Sequence, residues 1–225
     1  MVGAICKRDI LAHPVVTIRC FGWKIFFRAL MADQRQTFLS LLVDADVFEA
    51  PGADVHELVG RCIGLELRAK GVYETLSHRF ADTGSAKQFF EQLAREEEDH
   101  AELLGLCRAA AGRAGWEEKH FDSWRQALPQ LEQQMSEAET CIESCESLGD
   151  ALRLVIRIES SEINRVYLAI IAASHSEFVR RLRVFLEAGR THIAHICRRI
   201  PEFEPEYGEI CQTLYGAYTR GIPQQ

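Results

Sequence analysis

Four short stretches of the chain carry side chains that can bind a metal where an apolar residue belongs. Glu97 and His100 stand three residues apart, as do Glu159 and Glu162, while Glu66 and His192 each stand alone among hydrophobic neighbours. Residues three apart on a helix lie about 60° apart around its axis, so each pair can serve one site. Burying several carboxylates among apolar side chains costs several kcal/mol apiece unless their charge is compensated. No Lys or Arg except Lys70 lies on these stripes at a matching depth. A metal pair is the simplest compensation. Mixed carboxylate and imidazole donors favour iron or manganese over calcium or magnesium, whose sites are built from oxygen.

The elements that position these residues follow from periodicity. Six Pro and fifteen Gly in 225 residues leave room for long helices. Apolar residues recur at helical spacing in four segments. The first spans about 54–82 (Val55, Leu58, Val59, Cys62, Ile63, Ala69, Tyr73, Leu76, Phe80) and the second about 85–111 (Phe89, Leu93, Leu104, Cys107). The third spans about 148–173 (Leu152, Val155, Ile156, Ile163, Val166, Ile170) and the fourth about 175–199 (Phe178, Leu182, Phe185, Leu186, Ile193, Ile196), where Pro201 should close it. Asp54, with Glu57 three residues on, is a candidate N-cap for the first. Turns at 82–85 and near 174 make two antiparallel hairpins, and residues 116–147, with Pro129 and helical pieces around it, form a long connection between them. A tail helix is expected over 206–219, and residues 1–52 read as an N-terminal extension containing Phe21, Trp23, Phe26 and Phe27.

Each predicted helix aims a candidate ligand inward. Glu66 is four after Cys62 and three before Ala69; Glu97 is four after Leu93, and His100 four before Leu104. Glu159 is four after Val155, Glu162 four before Val166, and His192 four before Ile196. Glu96 competes with Glu97, because it is four before His100 within the acidic run Glu96–Asp99. His195 is either a neighbour of the site or a surface residue, and Tyr73 and Tyr167 are either hydrogen-bond donors to it or core tyrosines.

Composition excludes other classes. With 47% hydrophobic and 26% charged residues the chain is globular rather than disordered. Thirty-three acidic against 26 basic residues give a net charge of −7, which disfavours a nucleic-acid partner. No run of eighteen apolar residues and no secretory signal are visible, so a cytoplasmic protein without a membrane span is expected. Eight dispersed cysteines without a C-x-x-C pattern encode no zinc ribbon; they read as reduced small hydrophobes, with Cys141 and Cys145, four apart, as an alternative redox pair.

Over residues 54–200 this pattern resembles the rubrerythrin-like branch of the ferritin-like di-iron carboxylate proteins. The matching elements are Glu66-x-x-Ala69-x-x-x-Tyr73-x-x-Leu76 on the first helix, Glu97-x-x-His100 on the second and Glu159-x-x-Glu162 on the third. The fourth helix departs from it: Gly189 stands three before His192, where the family has a Glu. The resemblance implies an all-α fold, a ferritin-like antiparallel four-helix bundle over 53–200 with a long crossover between helices 2 and 3, preceded by the extension and followed by a tail over 201–225. It implies two iron ions, or manganese or a mixed pair, held by Glu66, Glu97, His100, Glu159, Glu162 and His192. Glu162 is expected to replace the missing carboxylate, and Gly189 to leave space beside the metals.

The implied activity is a metal-dependent oxidoreductase acting on peroxide or dioxygen. With no rubredoxin-like domain in the sequence, it would draw on an external electron donor. A homodimer or larger homo-oligomer is expected, with no membrane and no nucleic acid as partner. Two alternatives remain at this point: an iron-handling ferroxidase or storage-type oligomer, and a degenerate ferritin-like domain used as a binding module.

Overall fold

A computed structural model describes residues 53–110, 122–161 and 191–220, all within the unit Phe48–Gln225. The N-terminal extension, Glu162, Tyr167, Gly189 and the turn expected near 174 lie outside the described residues. Those described are helical, with no strand among them.

Helix α1 spans Ala53–Arg79 and α2 spans Gly84–Ala110. Val55, Leu58, Val59, Cys62, Leu65, Ala69, Val72, Tyr73 and Leu76 make one buried stripe on α1, as the 3.6-residue period requires. The turn between the two helices closes by bonds from the Phe80 amide to the Leu76 carbonyl and from the Thr83 amide to the Phe80 carbonyl. The Phe80 and Phe90 rings meet across it with centroids 5.9 Å apart. The helices are antiparallel: Lys70 pairs with Glu98 far from the turn, Phe80 with Phe90 near it.

Within the expected long connection, the described residues form helix α3 at Asp122–Cys141, which runs through Pro129 instead of breaking there. Proline inside a helix costs about 3 kcal/mol. Here its ring lies on the exposed face, opposite the buried stripe of Trp124, Leu128, Leu131, Met135 and Ala138, whose burial offsets that cost. Two two-pronged ion pairs bind α3 to α1, Arg61 to Glu132 at 2.7–2.8 Å and Arg68 to Glu139 at 2.7–2.8 Å. Both helices advance by seven residues between the pairs, so α1 and α3 run in the same direction. A 3-10 turn, Ile142–Ser144, ends α3.

Helix α4, Leu148–Ser160, starts on a capping box in which the Ser147 hydroxyl accepts from the Asp150 amide and the Asp150 carboxylate accepts from the Ser147 amide. It was expected to continue to 173 but stops at Ser160, because Ser161 adopts an extended backbone, φ −63° and ψ 160°. The Ser160 hydroxyl bonds back to the Arg157 carbonyl, the kind of local competition that weakens a helix at serine. The Tyr73–Glu159 and Arg79–Cys145 contacts set α4 antiparallel to α1.

Residues 191–203 form the described part of α5. Pro201, expected to end this helix, lies inside it. The Glu204 amide still reaches the Ile200 carbonyl at 3.0 Å, and Phe203 is held between Phe89 (centroids 5.6 Å apart) and the Arg199 guanidinium. His192 meets Glu96, and Phe203 meets Phe89, so α5 runs opposite to α2. After the 3-10 turn Pro205–Tyr207, α6 (Gly208–Arg220) folds back on α5 and packs Tyr218 and Leu214 against Ile193. Thus α1 and α5 point one way, α2 and α4 the other, with α3 against α1.

Candidate metal centre

Among the described residues the buried polar or charged side chains are Glu66, Ser77, Glu97, His100, Glu159 and His192. All but Ser77 are predicted ligands. They come from α1, α2, α4 and α5, and none is more than 6% exposed. Each reaches the interior because it occupies a core position of its helix: Glu66 one turn from Cys62 and Ala69, Glu97 one turn from Leu93, Glu159 one turn from Val155, His192 one turn from Ile196, all of them buried.

The five converge in two overlapping groups, Glu66–Glu97–His100 and Glu97–Glu159–His192, with one ligand atom from each residue within 4.8 Å of the others. Glu97 belongs to both. Its Oε2 lies 3.0 Å from His100 Nδ1 and its Oε1 3.4 Å from His192 Nε2. Glu66 Oε2 lies 3.8 Å from His100 Nδ1, and Glu159 Oε2 3.0 Å from His192 Nε2. The two imidazoles stand edge to face with centroids 5.1 Å apart.

Electrostatics show a cluster held together by protons when metal-free. Burial alone would lower the pKa of His100, but Glu97 and Glu66 overcome it and raise it to about 10. His192 is likewise raised well above the usual imidazole value against its burial, by Glu159, Glu97 and Glu96. Burial pushes the Glu97 carboxyl up to about 8 in spite of the attraction of both imidazoles. Imidazolium protons thus occupy the place that cations can take, and nitrogen and oxygen donors in this combination suit first-row transition metals.

The neighbouring candidates resolve differently. The Tyr73 hydroxyl donates to Glu159 Oε1 at 2.5 Å, and its own pKa is raised by complete burial and by that carboxylate. Lys70 takes no part, for it pairs with Glu98 at 2.7 Å and Glu74 at 3.7 Å on the outer face. Helix α4 ends at Ser160, and Glu162 lies outside the described residues. Cys141 and Cys145 are free thiols, the second donating to the carbonyl of the first.

Sequence spacing assigned Glu96 only as a rival to Glu97. In the fold both are used: Glu97 points into the cluster, while Glu96 reaches across to α5, its Oε2 2.6 Å from His192 Nδ1 and its Oε1 3.6 Å from His195 Nδ1. The available signal was the His192/His195 spacing of three, which puts two imidazoles where one carboxylate can meet both.

No protein-family model, curated protein or solved structure matches the chain. No helix among the described residues is long and apolar enough to cross a membrane.

Proposed function

We propose that Glu66, Glu97, His100, Glu159 and His192 hold a pair of transition-metal ions, and that the protein is a metal-dependent oxidoreductase of rubrerythrin-like kind acting on peroxide or dioxygen. The observation that carries this is Glu97: its two oxygens face different imidazoles, one in each ligand group. A carboxylate so shared suits a bridge between two ions better than a ligand of one. Support also comes from helix directions. A bundle of α1, α2, α4 and α5, with α3 as the crossover parallel to α1, is the ferritin-like arrangement. On this reading the ligands follow the order Glu, Glu-x-x-His, Glu, His along the chain.

Redox-active ions in this place would supply the electrons that reduce a small oxidant, with re-reduction by an external donor. The chain's own part is to hold and shield. His100 offers Nδ1 and His192 offers Nε2, while Glu66 and Glu159 each serve one group alone. Tyr73 fixes Glu159 through its hydroxyl. Leu93, Leu104 and Val155, each one helical turn from a ligand, are buried, as are the ligands themselves, so the groups are shielded from bulk water.

Elemental analysis of protein purified after iron supplementation tests the first half. Close to two ions per chain is expected; well under one equivalent overturns the centre. Turnover of peroxide by the loaded protein with a chemical reductant tests the second half, and a loaded protein indifferent to both peroxide and dioxygen refutes the activity while leaving the centre in place.

A further inference from the structure

The two imidazoles of the cluster face it through opposite ring nitrogens, His100 through Nδ1 and His192 through Nε2. A neutral imidazole has one N–H and one lone pair, and only the lone pair can bind a metal. Which nitrogen keeps the hydrogen is set by what the other side of the ring meets. For His192 that is Glu96. Its carboxylate, with no hydrogen to give, lies 2.6 Å from Nδ1 and can only accept.

Glu96 is itself held. The Gln92 amide, one turn earlier on α2, donates to Oε1 at 2.8 Å, leaving Oε2 for His192. His195 flanks Oε1 at 3.6 Å, and its ring rests against Phe89 with centroids 5.8 Å apart. Gln92, Glu96, His192 and His195 therefore tie α2 to α5 just outside the cluster.

From this geometry we infer that Glu96 is a positioning residue for His192: by accepting the Nδ1 hydrogen it fixes the ring's orientation and tautomer, so that Nε2 is the atom presented to metal beside Glu159 and Glu97. The inference rests on the metal centre proposed above. In the run Glu96–Glu97, adjacent carboxylates do different work, the second as ligand and the first as the group behind a ligand from another helix. Glu97 contacts His192 from the metal side and Glu96 from behind, so their contributions are separable.

The test uses the full chain as wild type, Glu96→Ala and Glu96→Gln, with zinc as the probe. Affinity is measured by competition with a chromophoric chelator, and the His192 ring nitrogens are followed by ¹⁵N NMR in the zinc-loaded protein. Removing such an outer partner lowers metal affinity about 10- to 100-fold, and that loss is expected for Glu96→Ala. Glu96→Gln, whose amide oxygen still accepts from Nδ1–H, recovers most of it. Loaded wild type should show hydrogen at Nδ1 and metal at Nε2, a signature that a purely structural tie would not dictate. Wild type that takes up no zinc overturns the metal centre and this inference with it. Wild type that binds zinc, beside a Glu96→Ala protein of equal affinity, overturns the role of Glu96 alone. So does a loaded wild type with hydrogen at Nε2, and that observation decides the matter even if Glu96→Ala fails to fold.

Discussion

Replacing Glu97 by Gln separates a residue kept for folding from one kept for metal. Burial holds its carboxyl at about 8, against an ordinary value of 4.5, so the folded metal-free chain keeps a proton that the unfolded chain sheds from pH 4.5 upward. A group that binds its proton more tightly in the folded state costs stability as pH rises. Here the cost grows from pH 4.5 and levels off above pH 8. At pH 7, 2.5 pH units above the ordinary value, it amounts to about 3 kcal/mol at 1.36 kcal/mol per unit. Gln imitates the protonated carboxyl without this cost. It forfeits at most the contact with His100, about 1 kcal/mol. Metal-free Glu97→Gln should therefore be more stable than wild type by about 2 kcal/mol at pH 7, with the advantage falling to nothing near pH 5 and giving way to a deficit of at most about 1 kcal/mol at pH 4.5. With metal the sign reverses. Wild type gains about 4 kcal/mol at a metal concentration a thousandfold above Kd, and the variant, having lost the carboxylate shared by both ligand groups, gains little. Urea unfolding with chelator and with added metal, at pH 5 and pH 7, measures all four quantities. A variant destabilised without metal yet stabilised by metal as fully as wild type would refute the reasoning at both points.

Other consequences follow from the same contacts. With His100 raised to about 10, His192 also raised and Glu97 pushed up to about 8, both rings and the Glu97 carboxyl carry a proton at pH 7 that metal must displace. Uptake should release about three protons per loaded centre and tighten as pH rises, measured by calorimetry in buffers of different ionisation enthalpy; no release would contradict the protonated cluster. Tyr73→Phe removes a buried donor to a carboxylate and should cost about 1.5–3 kcal/mol in urea unfolding; a change within 0.5 kcal/mol, roughly the level of a surface substitution, would show that bond to be dispensable. Ser147→Ala breaks the capping box of α4 and should cost about 1 kcal/mol without altering metal affinity.

The parts of this fold legible in the sequence are those whose signal is local and periodic. α1 and α2 lie within a few residues of their expected bounds, because nine buried positions on α1 repeat at the helical period and Asp82–Gly84 interrupts it. Proline misled twice. At 129 and at 201 the ring is tolerated by helices whose opposite or following residues are packed, Leu128 and Leu131 in one case, Ile200 and Phe203 in the other. The end of α4 failed in the opposite sense. Apolar residues continue in helical phase beyond 160, while the deciding event is local: the Ser160 hydroxyl bonds the Arg157 carbonyl and Ser161 turns to an extended backbone. Periodicity measures which face can be buried and is blind to such competition.

The same distinction explains the site. Glu66, Glu97, His100, Glu159 and His192 were recoverable because a charged side chain at a core phase contradicts its surroundings, and contradiction in phase is visible in one dimension. Glu96 stands outside that phase, about 100° around α2 from Glu97, within a run of four acids that reads as a solvated face. What draws it inward is His192 on α5, 96 residues away, and no spacing within α2 can register a partner on another helix. Side chains that bind by occupying a core position announce themselves singly. Those that act from behind a ligand are defined only by the packing of two elements, and for Glu96 that packing is the antiparallel contact of α2 with α5, which sets Phe203 against Phe89 at one end and His192 against Glu96 at the other.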